Sequence, residues 1–289
     1  MRHFLAYLVL GWAVLGTPAA SGQSVDIYRQ AENEAGRLRM LSQRGAKTYL
    51  LFQYHLARRR DMSDTAEEFD AIVVKLRAGR PSVGLPAIQG TLVEDRLDDV
   101  EAQWKVLRKI FTARPVELRR QSDLIPPDEW RRDPVLVRYV DRLSRELLAE
   151  AEKLVQAYVD DCSFRDIGPC TNLINETGRL RTLSETMTKD VMLAVLNLAE
   201  EPDLQRLREA RDHFDRSLGD VRKFVNTAKS PFLGPTFAIV EAYWSQFRVS
   251  VDLALDGDED DVDVDRLLRA QRELLDELED LIALLSSST

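Results

Sequence analysis

Two arginines, Arg39 and Arg181, each follow a glycine by three positions, after Gly36 and Gly178. Residues three apart share one face of a helix, and a helical side chain leans back toward the preceding turn. Each guanidinium group is therefore expected to lie over its glycine. Because a guanidinium group presents a planar fork of N–H donors, it suits a planar oxyanion such as nitrate or nitrite. If the two helices that carry these arginines pack against each other, the spacing predicts a site for a small anion.

The two glycines indicate where such a site would form. A glycine in the middle of a helix costs about 1 kcal/mol relative to alanine. Gly36 and Gly178 stand at the same place in two similar stretches of sequence, and each lies away from the apolar face of its predicted helix. We therefore expect the two helices to cross at these glycines. Two guanidinium groups about 4 Å apart would repel by roughly 4 kcal/mol at an effective dielectric constant of about 20. A small anion between them would replace this repulsion with charge-assisted hydrogen bonds.

Both glycine–arginine pairs belong to a sequence repeat. Residues 33–47 and 175–189 share nine identities in fifteen aligned positions, at an offset of 142. Two shorter matches follow in the same order at offsets of 140 and 127: Val100–Trp104 with Val240–Trp244, and Glu146–Leu148 with Glu273–Leu275. Matches in one order with shrinking offsets indicate one unit that was copied, with a shorter connection before the last helix of the second copy.

Each copy is predicted to form four helices, because apolar residues recur at helical spacing and no segment alternates like a strand. The predicted helices are 25–58, 64–79, 87–112 and one ending near 160, followed by 170–200, 203–228, 232–254 and 263–285. We therefore expect an all-α fold of two tandem antiparallel four-helix bundles. The predicted domains are 24–160 and 170–289, with a disulfide-closed linker at 161–169.

The disulfide prediction rests on the two cysteines of the chain, Cys162 and Cys170, which stand eight positions apart in a stretch with glycine and proline. In an oxidising compartment such a pair is expected to close a short loop. The spacing is not Cys-x-x-Cys, which argues against a redox-active pair. We expect a structural disulfide.

Residues 1–22 show the three-part pattern of a secretory signal peptide, with Arg2, an apolar run from Phe4 to Gly16, and small residues after it. Cleavage is expected between Ala20 and Gln23. The apolar run is shorter than the roughly 18 residues that a membrane span needs, although an uncleaved anchor is the alternative. We expect a mature protein that is soluble, periplasmic and not membrane-spanning.

Composition excludes several classes of protein. The chain has 289 residues, with 40 Lys and Arg against 49 Asp and Glu and a formal charge of −9, which argues against a nucleic-acid binder. Three histidines leave little material for a histidine-built metal or catalytic centre. The acidic run at 256–265 lacks the glycine and glutamate of a calcium-binding EF-hand loop. We expect no enzymatic activity, no cofactor and no metal site.

Residues 33–44 resemble the signature box in the first helix of the type IV pili methyl-accepting chemotaxis transducer N-terminal domain. The same type of domain forms the periplasmic sensor of nitrate- and nitrite-responsive histidine kinases. The resemblance implies a four-helix sensory unit in each copy. It also implies a nitrate or nitrite site between two first helices, built on the arginine three residues after the glycine. The residues to which this role carries over are Gly36, Arg39, Gly178 and Arg181.

The resemblance adds Arg44, which matches a later arginine of the signature box, but the second copy has Thr186 at that place. Family receptors have membrane helices and signalling modules, which we do not find in this sequence. We therefore expect a sensory protein that binds a small oxyanion and relays to a membrane receptor or another sensor partner.

Three alternatives stay open, and the third is a Trp-lined apolar groove for another molecule. In the first, the protein is a periplasmic scaffold or interaction module that kept the bundles and lost the ligand. Thr186 favours this scaffold, whereas the two glycine–arginine pairs favour the binder. In the second, Arg39 and Arg181 lie on opposite sides of the molecule, and a homodimer pairs Arg39 with its own symmetry mate.

Overall fold

The structure is a computed structural model that describes residues 20–79, 88, 91–112, 133–164, 172–228 and 230–288. In these residues the chain forms α-helices, one short 3₁₀ turn at Glu259–Asp261 and no strand, which confirms the all-α prediction. The helices are α1 Ala20–Gln53, α2 Arg59–Ala78, α3 Leu92–Thr112, α4 Pro134–Phe164, α5 Asn172–Val195, α6 Glu201–Thr227, α7 Leu233–Asp256 and α8 Val264–Ser288. All of the predicted signal peptide before Ala20 lies outside the described residues.

The helices form two four-helix bundles of the same connectivity. In the first, α1 packs against α2 and α4, and α3 closes the ring by packing against the same two helices. In the second, α5 packs against α6 and α8, and α7 closes the ring in the same way. The bundles meet through α1 and α5, which pack against each other along their length. The repeated sequence therefore folds into a repeated structure joined by its two first helices.

The first helix of each bundle is buried on every side. No side chain of α1 from Ala31 to Gln53 is exposed, and the same holds for α5 from Asn175 to Val195. One face of each helix fills its own bundle, and the opposite face contacts the other bundle. A helix without an exposed face belongs in the interior of a protein. The interface between bundles therefore lies at the centre of the molecule and includes polar as well as apolar side chains.

An aromatic pair in each bundle holds the second and third helices together. Phe69 stacks on Trp104 with ring centroids 4.0 Å apart, and Phe214 stacks on Trp244 at the same distance. Each indole N–H donates to an aspartate of the preceding helix: Trp104 to Asp70 at 2.8 Å, and Trp244 to Asp215 at 2.9 Å. The two cores therefore match in packing and in polar contacts.

Several helix ends differ from the sequence prediction, including the start of α2 at Arg59 rather than 64 and the start of α3 at Leu92 rather than 87. α1 ends at Gln53 rather than at 58, because His55 adopts a left-handed backbone conformation (φ 63°) and the N–H of Leu56 closes the turn on the carbonyl of Leu51 at 2.8 Å. Asn197 (φ 55°) ends α5 in the same way. A left-handed residue just after a helix satisfies its last carbonyl groups and stops it.

α4 also differs from the prediction, because it continues to Phe164, beyond the end predicted near 160. Cys162 is 4% exposed and extends the buried face of α4 that includes Leu154 and Tyr158. Cys170 lies outside the described residues, so the disulfide between the two cysteines stays a prediction.

No helix of the described part of the chain is long and apolar enough to cross a membrane.

Candidate functional site

α1 and α5 bring the two predicted glycine–arginine pairs to one place. A Cβ atom at Gly178 would lie 3.5 Å from Nη2 of Arg181 and 3.6 Å from Nη2 of Arg39. A Cβ atom at Gly36 would lie 3.3 Å from Nη2 of Arg39. The Nη2 atoms of Arg39 and Arg181 therefore lie near each other, because both are within 3.6 Å of one point beside Gly178. The guanidinium groups share the space that the absent side chains leave, within one chain.

Arg39 joins three helices. Its Nη2 donates to Oδ1 of Asn175 on α5 at 2.8 Å. Its Nη1 donates to Oε2 of Glu152 on α4 at 2.8 Å. The side chain therefore ties the first helix of its own bundle to the last helix of that bundle and to the first helix of the other.

Arg181 repeats this arrangement from the opposite side. Its Nη2 donates to Oδ1 of Asn33 on α1 at 2.9 Å. Its Nη1 donates to Oε1 of Glu279 on α8 at 2.5 Å. The matching contacts of the two arginines show that the bundles are related by a pseudo-twofold axis that passes between the two guanidinium groups.

Both arginines are withdrawn from water. Arg39 is 1% exposed and Arg181 is 0% exposed, and Nε of each is buried without an acceptor in the protein. A buried donor without a partner costs about 1–3 kcal/mol. The side chains of Glu152 and Glu279 are 36% and 45% exposed, so the carboxylates form the solvent side of the site.

The charges at the site act on one another. Burial lowers the pKa of the Arg181 guanidinium, Glu279 opposes this effect, and the positive charges of Arg37 and Arg39 lower the pKa further. The two arginines of the repeat are therefore close enough to repel through the protein interior. A further negative charge between them would reduce this repulsion.

Arg44 has other partners. Its Nε donates to Oε1 of Glu185 at 2.8 Å, and its Nη1 lies 3.4 Å from Oε2 of Glu68. Burial lowers the pKa of Arg44, but Glu185 and Glu68 outweigh it, so that the pKa is raised overall. Glu185 and Glu68 already neutralise the guanidinium group of Arg44. The contact between Arg44 and an anion stays a prediction.

Two matched lysines also cross the interface. Lys47 of α1 contacts Glu185 of α5 at 2.6 Å and donates to Gln271 of α8 at 3.0 Å. Lys189 of α5 makes the reciprocal contacts, to Gln43 of α1 at 3.1 Å and to Asp141 of α4 at 2.5 Å. These buried polar contacts fix the register of α1 against α5, and hence the position at which the arginines meet.

Two openings of the described surface lie elsewhere. A cavity of about 470 Å³ lies between α4 and the start of α6, and one of about 300 Å³ lies between α1, the start of α2 and α8. Neither is lined by Arg39 or Arg181. Among the described residues, no group of three or more His, Cys, Asp or Glu side chains is placed to hold a metal ion.

Sequence analysis missed Glu152 and Glu279. They stand far from their arginines in the chain, with separations of 113 and 98 residues. A signal was present, because the offset of 127 that matches Glu146 with Glu273 also places Glu152 opposite Glu279. Asn33 and Asn175 belong to the repeated motif, but the sequence did not indicate that each accepts a hydrogen bond from the arginine of the other copy.

The chain was compared with known proteins. A sequence model of the type IV pili methyl-accepting chemotaxis transducer N-terminal domain (PilJ) matches residues 29–123 and 170–270. Each matched segment contains one glycine–arginine pair, in agreement with the tandem duplication. No curated protein and no solved structure matches the chain. The family consists of sensory domains of signal transducers that are typically periplasmic. The chain therefore belongs to the family of type IV pili methyl-accepting chemotaxis transducer N-terminal domains, in two tandem copies.

Proposed function

We propose that this protein is a periplasmic sensory protein that binds one small oxyanion, nitrate or nitrite, between α1 and α5 and relays to a membrane receptor or another sensor partner. Membership of a family of sensory domains supports the sensory role. Arg39 and Arg181 are the residues that hold the anion, and Gly36 and Gly178 give it room. We expect no catalytic step and no cofactor.

The observation that supports anion binding is the meeting of two buried guanidinium groups at one place. A guanidinium group has five N–H donors and no acceptor. Glu152 and Asn175 accept three hydrogen bonds from Arg39, one of them long at 3.5 Å. Glu279 and Asn33 accept two from Arg181. Nε of each arginine has no protein acceptor. The donors that remain on the two groups suit a planar ion with one charge and two or three oxygen atoms.

An anion screen by thermal unfolding tests this proposal. Nitrate and nitrite at millimolar concentration are expected to raise the unfolding temperature, whereas chloride at the same ionic strength is not. Arg39→Lys keeps the charge but removes the fork, so we expect it to abolish the shift. Arg222→Ala removes an arginine that pairs with Glu241 on the exposed surface, and is expected to keep the shift.

The scaffold is the second candidate, and one observation favours it. Each buried arginine already has a carboxylate partner, so the protein neutralises both guanidinium groups without a bound anion. If no anion changes the unfolding temperature, the bundles serve as an interaction module. A search for bound partners would then be the next experiment.

Export is part of the proposal. We expect residues 1–22 to be removed and Cys162 to form a disulfide with Cys170. Mass spectrometry of the protein from the periplasm would give a new N-terminus between residues 21 and 23 and a mass lower than that of the reduced chain by two hydrogen atoms, which oxidation of the two thiols removes. An intact N-terminus would favour a membrane anchor instead.

A further inference from the structure

Glu152 and Glu279 are anions that the protein itself supplies to the site. Each carboxylate accepts a hydrogen bond from Nη1 of one buried arginine, at 2.8 Å for Glu152 and 2.5 Å for Glu279. They occupy matching places on the last helices of the two bundles, α4 and α8. An anion that enters between the guanidinium groups competes with these carboxylates for the two positive charges.

The carboxylates are the parts of the site that face solvent. Arg39 and Arg181 are at most 1% exposed, whereas the side chains of Glu152 and Glu279 are 36% and 45% exposed. A half-exposed carboxylate regains water when it turns away from the protein, so it loses little solvation energy. A buried guanidinium group has no such alternative. An incoming anion is therefore expected to move the glutamates rather than the arginines.

We infer that Glu152 and Glu279 are competing carboxylates that set the affinity of the site for its anion, and that anion binding weakens the attachment of α4 and α8 to the central helices. This inference rests on the proposed anion site. Without the anion, each glutamate neutralises one guanidinium group. With the anion bound, its one negative charge interacts with both arginines, and the ion pairs of Glu152 with Arg39 and of Glu279 with Arg181 are weakened together.

Glu152 and Glu279 differ in the number of cations within ion-pair distance. Arg179 lies 3.6 Å from Glu152, so this carboxylate keeps a second cation when Arg39 releases it. Among the described residues, Arg181 is the cation within 4.0 Å of Glu279, and the positive charge of Arg44 acts on Glu279 from farther away. We therefore expect the anion to loosen α8 more than α4, which makes α8 the element that changes most between the two states.

Calorimetric titration of the full chain with nitrate tests the inference. Glu152→Gln and Glu279→Gln each remove a competing charge while keeping the shape of the side chain. Each is expected to tighten nitrate binding at least about tenfold, because a like charge within a few ångströms of the anion opposes its binding. Glu150→Gln and Glu273→Gln are the controls, because they remove the same charge from the same helices without a described contact to either arginine. They are expected to change the affinity less than about twofold.

A second pair of variants separates competition from folding. Glu152→Asp and Glu279→Asp keep the charge with a shorter side chain, so a carboxylate still opposes the anion, and we expect an affinity near that of the unaltered protein. Hydrogen exchange adds a readout that a purely structural role would not give. Nitrate is expected to speed exchange of α8 near Glu279 in the unaltered protein and to leave it unchanged in Glu279→Gln.

The outcomes distinguish the two claims. Nitrate binding that is equal or weaker in both Gln variants overturns the inference and makes the glutamates positioning residues, while the anion site stands. Binding that appears only in the Gln variants supports both claims. No binding in any variant overturns the proposed anion site, and this inference falls with it.

Discussion

Arg39 on α1 and Asn175 on α5 are joined by a hydrogen bond of 2.8 Å between Nη2 and Oδ1. The matching hydrogen bond in the opposite direction joins Nη2 of Arg181 to Oδ1 of Asn33 at 2.9 Å. All four residues belong to the segment that repeats at an offset of 142. The same motif thus supplies the donor and the acceptor on both sides of the interface. Such self-complementary pairing is the usual property of a twofold dimer, and here it lies within one chain.

Gly45 and Gly178 differ in what a methyl group would meet, so alanine should have opposite effects at the two positions. A Cβ atom at Gly45 would lie 2.5 Å from Cε2 of the buried ring of Phe111, and such overpacking typically costs about 1–3 kcal/mol. At Gly178 the nearest neighbours are at 3.5 Å or more, and alanine gains up to about 1 kcal/mol in helix propensity. Urea unfolding should give a lower free energy of unfolding for Gly45→Ala and an equal or higher one for Gly178→Ala. Equal stability of the two variants would contradict this packing.

Glu185 holds two buried cations, so its replacement should be costly. It is 0% exposed and contacts Arg44 at 2.8 Å and Lys47 at 2.6 Å. Breaking a buried ion pair from one side typically costs about 3–5 kcal/mol, which is the loss that we expect for Glu185→Gln at pH 7. Glu201→Gln, at a side chain that is 78% exposed, is the control and should change stability little.

The effect of Glu185 should also depend on pH. Burial raises the pKa of Glu185, but Lys47 and Arg44 outweigh it and hold the pKa below its usual value of 4.5. A lowered folded-state pKa gives stability that is present above pH 4.5 and is lost as the pH falls through the folded-state value. The difference in free energy of unfolding between the unaltered protein and Glu185→Gln should therefore shrink in acid. A difference that grows below pH 4.5 would mean that the lysine and the arginine do not stabilise the charge.

Asp190 is expected to behave in the opposite way. Burial raises its pKa above the usual 3.8, although Lys189 and Arg206 oppose this. The ion-pair distances to these cations, 3.7 and 3.4 Å, favour the charged form, but they are long for a carboxylate that is 1% exposed, so burial dominates. A raised folded-state pKa gives stability that is present below pH 3.8 and is lost as the pH rises through the folded-state value.

Asp190→Asn should therefore raise the free energy of unfolding at pH 7, with a gain that disappears below pH 3.8. Denaturant unfolding at a series of pH values would measure it. Asp260→Asn, at an exposed position, is the matched control. A loss of stability at pH 7 would show that the two cations stabilise the Asp190 charge more than burial opposes it.

Sequence reasoning predicted the parts of the site that lie within the repeat. The glycines, the arginines and their helical spacing indicated a place where α1 and α5 could meet, but a motif repeated at a constant offset does not fix whether the two copies pair within one chain. The partners on α4 and α8 were not predicted. Which face a fourth helix turns toward the first depends on how the whole bundle closes, and local periodicity does not fix that orientation.

Helix ends were the less predictable part of the fold. Arginines at 58–60 suggested a long first helix, yet the left-handed conformation of His55 ends it earlier. No residue of this turn is a glycine, which is the residue that usually marks such an end. Conversely, glycine and proline after Cys162 suggested an early end for α4, whereas burial of Cys162 extends the helix.

The most direct test of a shared anion site is a calorimetric titration of the protein with nitrate, repeated with Arg39→Ala, Arg181→Ala and Arg222→Ala. The account predicts one nitrate per chain, binding that is lost when either buried arginine is removed, and unchanged binding in Arg222→Ala. Two nitrate ions per chain, or binding that survives in Arg39→Ala or Arg181→Ala, would contradict a single site between the two guanidinium groups. No heat at millimolar nitrate or nitrite, in the unaltered protein and in Glu152→Gln and Glu279→Gln alike, would leave the scaffold as the function.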